Sequence, residues 1–331
     1  MTRRRLGLVS IAAAAIAAIS LALWPLDESH AGSRADKVLE GVIGSLPDGF
    51  QFTYDSVIDS AASDEVVVSG LVFRIDFAKV MAAYGDAFEG MAEAEGIGAR
   101  DLAALDGVVL SITADQWSIS DYDTAVDPPR FMTQRISGFA IDIGGLLPNE
   151  DLTDFKALFG GTTIRGDMRM RYAADVETGI FDIAYFDLII ENVGAIELAG
   201  KFGGYYVWPT DDNPEADEIN METLTVHHLT FRFIDSSIFD RAMAWAASQY
   251  EMTAEGLKEL GAMMIAGSVA EMPDPRLQDA AAALVAFIRD PGRLTMTVAP
   301  DKPVNMMAWG DFVEIDPTAA LDQINFSLTN D

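Results

Sequence analysis

Apolar and polar positions alternate strictly over residues 165–172, with Met168, Met170 and Tyr172 on one parity and Arg165, Asp167, Arg169 and Arg171 on the other. Period two marks a strand with one buried and one wet face. A turn-like stretch, 175–179, separates it from a second alternation, Phe181-Asp-Ile-Ala-Tyr185. The pattern predicts a hairpin in which Tyr172 faces Phe181, Met170 faces Ile183 and Met168 faces Tyr185. Arg171 then lies beside Asp182 on the wet face. A third strand is predicted over 196–208, with Ile196, Leu198, Phe202, Tyr206 and Trp208 on one parity, completing a meander.

Elsewhere the period changes between two and 3.6. A helix is predicted over 33–46, strands over 50–58 and 65–76, and helical spacing over 77–95 and 99–105. In the 65–76 strand, Val67, Leu71, Phe73 and Ile75 are expected on one side. Strands follow over 108–122 and 131–143, and Asn149 caps a helix ending near Phe159. One long strand is predicted over 219–235. Three helices occupy 237–289, the last striped by Leu277, Ala281, Leu284 and Ile288. Asp290-Pro-Gly-Arg293 fits a type II turn feeding a strand over 294–298. A short helix opens at Asp316-Pro317, and 326–329 closes the sheet.

These elements predict an α+β fold: a curved, mostly antiparallel sheet of roughly eight to ten strands, with helices packed mainly on one face. Two halves are expected, 32–160 and 161–331, sharing one continuous sheet. An internal duplication is suggested by two Ile-Asp strand ends, Ile75-Asp76 and Ile234-Asp235, each leading into helices.

Residues 1–31 stand apart. Arg3, Arg4 and Arg5 precede an uninterrupted apolar run over 6–24, which Pro25 breaks, and Ser29-His30-Ala31 offers small residues for a signal peptidase. The segment is expected to be a signal peptide or an N-terminal membrane anchor, placing the rest in the periplasm. The whole chain carries 22 Lys+Arg against 52 Asp+Glu, a net charge of −30. That field repels nucleic acid and anionic lipid headgroups, which excludes both as direct partners. With no cysteine, thiol catalysis and thiolate metal sites are excluded as well.

The leader, the tyrosine-opened strand pairs at Tyr54 and Tyr172, the helical insert and the late segment Asp290-Pro-Gly-Arg-Leu-Thr-Met-Thr-Val-Ala-Pro300 together resemble a loose group of proteobacterial envelope proteins of uncharacterised function. The resemblance spans most of the chain in layout. It implies location and architecture, and carries no functional residues with it.

Candidate chemistry is sparse. His227 and His228 are adjacent, so in a regular strand they point to opposite faces and cannot share a metal. No Gly-x-Ser-x-Gly elbow or phosphate loop occurs. Asp211, Asn213, Glu215, Asp217 and Glu222 fall on the ligand positions of an EF-hand loop. Ala216 replaces its glycine, however, and strands flank it, so the simpler reading is a solvated acidic loop. Arg165, Arg169 and Arg171 are expected to pair with Asp167 and Asp182 across the wet face. Phe202, Tyr206, Trp208, Trp245 and Met264 are candidate walls of an apolar groove between sheet and helix. No catalytic residue, cofactor or resident metal is expected. The leading functional expectation is a non-catalytic exported envelope protein that binds an apolar ligand or scaffolds an envelope complex. The alternative is an exported carboxylate-dependent hydrolase, with or without a divalent ion.

Overall fold

The structure, a computed structural model, describes residues 35, 39, 46, 48–60, 65–80, 82, 107–123, 130–146, 149–204, 206–207, 218–219, 223–270, 274–315 and 317–331. The predicted helices over 33–46 and 77–105 lie mostly outside these residues, as do 1–34 and the acidic loop positions 211–217 and 222. The fold is α+β with a mostly antiparallel sheet, as the periodicities predict. Among the described residues the chain forms fourteen strands, more than the eight to ten expected, because three predicted strands are interrupted and one short strand, Val304–Asn305, lies outside the expected set. It divides into two compact units, 1–129 with 134–167, and 130–133 with 168–331.

In the first unit the strands are β1 (Phe50–Thr53), β2 (Ser56–Ser60), β3 (Glu65–Asp76), β4 (Val109–Ser120), β5 (Phe131–Asp142) and the start of β6 (Thr163–Asp175), with helix α1 (Asn149–Phe159) between β5 and β6. The predicted 50–58 strand breaks at Tyr54-Asp55, and both pieces pair with β3. β3, β4 and β5 each hide one parity, and the hidden parity changes partway. β3 buries Val66 and Val68, then Leu71, Phe73 and Ile75, so Val67 is not on the core side as the alternation suggested. β4 switches between Ile112 and Trp117, and β5 between Ile136 and Phe139. The register of β3 on β4 does not slip across the switch, since Ser69 faces Gln116 and Leu71 faces Ala114.

The physical cause is visible in β3 and β5. Gly70 (φ 64°) and Gly138 (φ 61°) occupy the left-handed region, which takes the chain out of the pleat. A Cβ at Gly70 would overlap the Asp55 carboxylate, and one at Gly138 the Asp115 carboxylate. The Gly138 N–H donates to Asp167 Oδ1 at 3.1 Å. A row of alternating aspartates and glycines thus crosses the first unit's sheet where its faces exchange roles.

The second unit orders β7 (Ile180–Ile190), β8 (Gly194–Gly203), β11 (Thr225–Asp235), β12 (Arg293–Val298) and β14 (Ser327–Asn330) side by side after the rest of β6. The short strand β13 (Val304–Asn305) pairs with the start of β11. The third meander strand ends at Gly203 instead of running to Trp208. Gly204 has φ 65°, any Cβ there would overlap the Thr223 carbonyl, and Thr223 Oγ1 donates to the Gly204 carbonyl. Beyond this turn β9 (Tyr206–Val207) pairs instead with β10 (Glu218–Ile219), so the predicted 219–235 strand is also two elements.

Between β11 and β12 the chain inserts α2 (Ile238–Gln249), α3 (Ala254–Val269) and α4 (Pro275–Arg289). The caps follow from sequence: Thr253 Oγ1 accepts from the Gly256 N–H, and Asp274 accepts from the Arg276 N–H with Pro275 in the first helical turn. α4 seats Phe287 edge-on against Phe233 of β11 and Phe239 of α2, at centroid distances of 5.9 and 5.3 Å. Helices α5 (Met306–Ile315) and α6 (Pro317–Ile324) close the chain before β14, joined by a hydrogen bond from Trp309 Nε1 to the Ala320 carbonyl.

The two Ile-Asp strand ends are built alike. Asp76 N–H donates to the Gly49 carbonyl, and Asp235 N–H to the Gly292 carbonyl. Asp76 Oδ1 accepts from the Lys79 N–H, and Asp235 Oδ1 from the Phe239 N–H, each opening the helix that follows. An Asp at these positions satisfies donors that a helix start leaves free.

Candidate functional site

Two bulges decide which side chains share a face in the second unit. In β7 the register against β8 shifts between Ile183 and Phe186, so Ala184 and Tyr185 together oppose one residue. Phe181 and Ile183 before the bulge therefore share a face with Phe186, Leu188 and Ile190 after it. The expected register holds at the hairpin's end, where the Tyr172 and Phe181 rings lie 5.1 Å apart. It fails at Tyr185, which turns to the wet face and lies under the Arg169 guanidinium at 5.4 Å. The same shift turns Asp187 to the wet face, and there Arg169 Nε donates to Asp187 Oδ2. Arg169 thus pairs with Asp187 rather than with Asp167 or Asp182, while Asp167 accepts from Gly138.

The second bulge is at His227, between Val226 and His228 of β11. A Cβ on Gly203 would meet Thr225 Oγ1 and His227 Nε2 at 2.6 and 3.0 Å, so His227 stands on the face to which Gly203 points. His228 pairs with Lys201, two residues back on that same parity of β8, and His228 Nε2 lies 3.5 Å from Thr230 Oγ1. Both imidazoles therefore share the polar face, contrary to the expectation from a regular strand. Partial burial, and then the nearby Lys201 charge, hold His227 below its ordinary pKa.

With the bulges placed, the opposite face is apolar across five strands. Phe186 pairs with Leu198, Leu198 with Phe231, Phe231 with Met296 and Met296 with Leu328. Parallel rows run beside it: Leu188, Ile196, Phe233 and Leu294 on one side, Ile183, Gly200, Leu229 and Val298 on the other. Every apolar side chain in these rows is half-buried. Among the described residues of these five strands, Val226 alone is a fully buried large apolar side chain.

The sequence-predicted groove residues are dispersed among these elements. Phe202 lies on the apolar face of β8, opposite Phe181 and Val226. Trp245 is half-buried in α2, and Met264 points to solvent on α3. Tyr206 belongs to the separate β9–β10 pair, and Trp208 lies outside the described residues. Sequence reasoning missed Phe186, Phe231, Met296 and Leu328, because the two bulges move them across parity and β12 and β14 return from distant parts of the chain.

Two of the buried carboxylates among the described residues are held in ion pairs. Asp187 is held by Arg169. Asp274 caps α4 and is bonded to Arg276 at 2.6 Å, and Arg276 also reaches Asp322. The Arg276 hydrogen bond holds the Asp274 carboxyl below its ordinary range. Among the described residues no group of three His, Asp or Glu side chains could hold a metal ion. No helix among them is long and apolar enough to cross a membrane.

A family model described as "Uncharacterized protein" matches residues 187–331, which run from late β7 to the end of the chain and carry most of the five-strand apolar face. This agrees with the resemblance to a group of uncharacterised function. No curated protein matches the chain.

Proposed function

We propose that this is an exported, non-catalytic protein of a proteobacterial envelope, delivered by its N-terminal segment as a signal peptide or anchor, whose second unit holds a lipid-like apolar ligand against its sheet. The observation that carries the reading is the row Phe186, Leu198, Phe231, Met296 and Leu328. It is continuous, apolar and nowhere fully buried. A closed core would remove such side chains from water, at roughly 1.5–3 kcal/mol for each fully buried one. Large half-open apolar surfaces of this kind mark ligand or partner sites. The polar face behind it, with Arg232 on Glu197 at 3.3 Å and Arg169 on Asp187, keeps that side of the same strands in water.

The test compares wild type with Leu198→Trp, which fills the row without adding charge. Native mass spectrometry of wild-type protein purified from its host envelope should show an apolar adduct, extractable by organic solvent. Leu198→Trp should lose the adduct and keep its melting temperature. A wild type that carries no adduct and takes up no Nile red would end the ligand reading. For export, an alkaline phosphatase fusion after residue 60 should be active outside the inner membrane, and an inactive fusion would overturn it.

A further inference from the structure

The first unit buries a polar group that its strand pattern does not call for. Met132, Gln134 and Ile136 are the hidden positions in the first half of β5, where alternation asks for apolar residues. Gln134 is 1% exposed, and neither its Nε2 nor its Oε1 has a hydrogen-bond partner among the described residues. Trp117 of β4 is fully buried, and its Nε1 lacks a partner in the same way. Elsewhere the chain satisfies such groups. Asp187, Lys258 and Asp274 are buried in ion pairs, and Trp309 Nε1 donates to the Ala320 carbonyl.

The two side chains are neighbours. β4 and β5 lie side by side, and a Cβ on Gly138 of β5 would overlap Asp115 of β4, so these positions are abreast. From there an antiparallel pair sets Ile136 beside Trp117 and Gln134 beside Ile119. All four are buried, as one shared face requires. A parallel pair would instead set Ile136 beside exposed Thr113. On the other side of β4, Val68 pairs with Trp117 and Val66 with Ile119. Gln134 and Trp117 are thus diagonal neighbours, about 7–8 Å apart and within reach of a common group. Their surroundings on this face are the aliphatic side chains of Val66, Val68, Ile119 and Ile136.

Unsatisfied polar atoms in such surroundings cost free energy that Leu and Phe at the same positions would not. Apolar walls with a few convergent polar groups are instead the make-up of a small-molecule site. The glutamine amide offers a donor beside an acceptor, and the indole adds a second donor. Their complement is a carbonyl that accepts from Gln134 Nε2 and Trp117 Nε1, next to an N–H that donates to Gln134 Oε1. A carboxylate would set its charge against Oε1 in an apolar site. We propose that the first unit binds an apolar molecule through a neutral carboxamide end, held by Gln134 and Trp117.

The probe is octanamide, titrated by calorimetry into the full chain at pH 7, with octanoate as the charged control. Native mass spectrometry of the same preparation shows whether an amide already travels with the protein. Wild type should take up octanamide or carry such an adduct, and octanoate should not bind. Gln134→Met, similar in length and without the amide, should lose both. Trp117→Phe keeps an aromatic ring and removes the N–H, so it should bind about fivefold more weakly. Cooperative melting of both variants shows that a lost ligand is not lost folding. Leu198→Trp, in the second unit, should take up octanamide as wild type does. Loss there instead would assign the uptake to the second unit and overturn the proposal. Binding that survives Gln134→Met would overturn it, as would equal binding of octanoate. So would a wild type with neither adduct nor uptake, which leaves Gln134 and Trp117 to a buried water.

Discussion

In the first unit Val66, Val68, Trp117 and Ile119 are all 2% exposed or less. In the second, the matching kind of position, Phe186, Leu198, Phe231 and Met296, is half-buried along the whole row. The strands of both units are antiparallel and alternate apolar with polar residues, so strand pattern alone does not explain the difference. The breaks in alternation do. The first unit breaks with glycines at positive φ, each seated under a neighbouring aspartate, and both segments of its strands bury large side chains. The second unit breaks with bulges at Ala184-Tyr185 and His227. These gather apolar groups onto one face and charged groups onto the other. The first arrangement closes a core, and the second leaves its apolar face half-buried, with Phe287 of α4 packed on Phe233 over part of it.

The largest expected effect separates the two directly. Trp117→Ala empties a site with no exposure in the first unit and should cost about 3–5 kcal/mol. Phe231→Ala removes a half-buried ring from the second unit and should cost about 1–2 kcal/mol. Urea denaturation of both variants measures the contrast. Equal losses would mean that the Phe231 face is covered in solution, as by a retained ligand. Extraction of the protein before unfolding would then lower the Phe231 value alone.

A second effect tests the glycine seam. Gly138→Ala forces a side chain into the left-handed region and against the Asp115 carboxylate, so a loss of about 2–3 kcal/mol is expected. Gly261→Ala, on α3 with no atom near the added methyl, should instead be neutral or slightly stabilising. If Gly138→Ala is equally harmless, the seam does not fix the first unit's faces.

Much of this architecture is legible in the sequence, and its misreadings share one cause. Elements at 65–76, 131–143, 149–159 and 237–289 lie where their periodicity puts them, because each carries its own apolar stripe or cap. The misplaced positions, Val67, Tyr185, Tyr206 and the two histidines, all lie beside a break in the pleat. A period-two reading carries parity through such a break and assigns every later residue to the wrong face. Gly70, Gly138 and Gly204 were the available signals for three of the breaks, since an isolated glycine in a strand often marks one. The bulges at Ala184-Tyr185 and His227 contain no glycine and left no comparable mark. The candidate groove suffered most, because its true row depends on both bulges and on strands paired over long sequence distances.

A smaller effect follows from the first of those bulges. On a regular wet face Arg169 would be expendable. With Asp187 buried behind it, Arg169→Ala leaves a carboxylate without its cation and should cost about 1–2 kcal/mol. Arg169→Ala together with Asp187→Asn should recover part of that loss. A single variant as stable as wild type would mean that Asp187 reaches water despite its burial.

The smallest expected effect belongs to the second bulge. Burial holds His227 below its ordinary pKa of about 6.5, so the unfolded chain takes up a proton there before the folded chain does. The stabilisation is present in full above pH 6.5 and is lost as pH falls through the folded value. The first unit's described residues contain no histidine, so it has no such response to offer in that range. Denaturation midpoints should therefore fall between pH 7 and about pH 5, before most carboxylates titrate. His227→Gln should flatten that slope while leaving the pH 7 midpoint close to wild type. An unchanged slope would show that His227 takes up its proton in place. The bulge would then present an open imidazole beside Lys201, and the polar face would be as accessible to solvent as the apolar face opposite it.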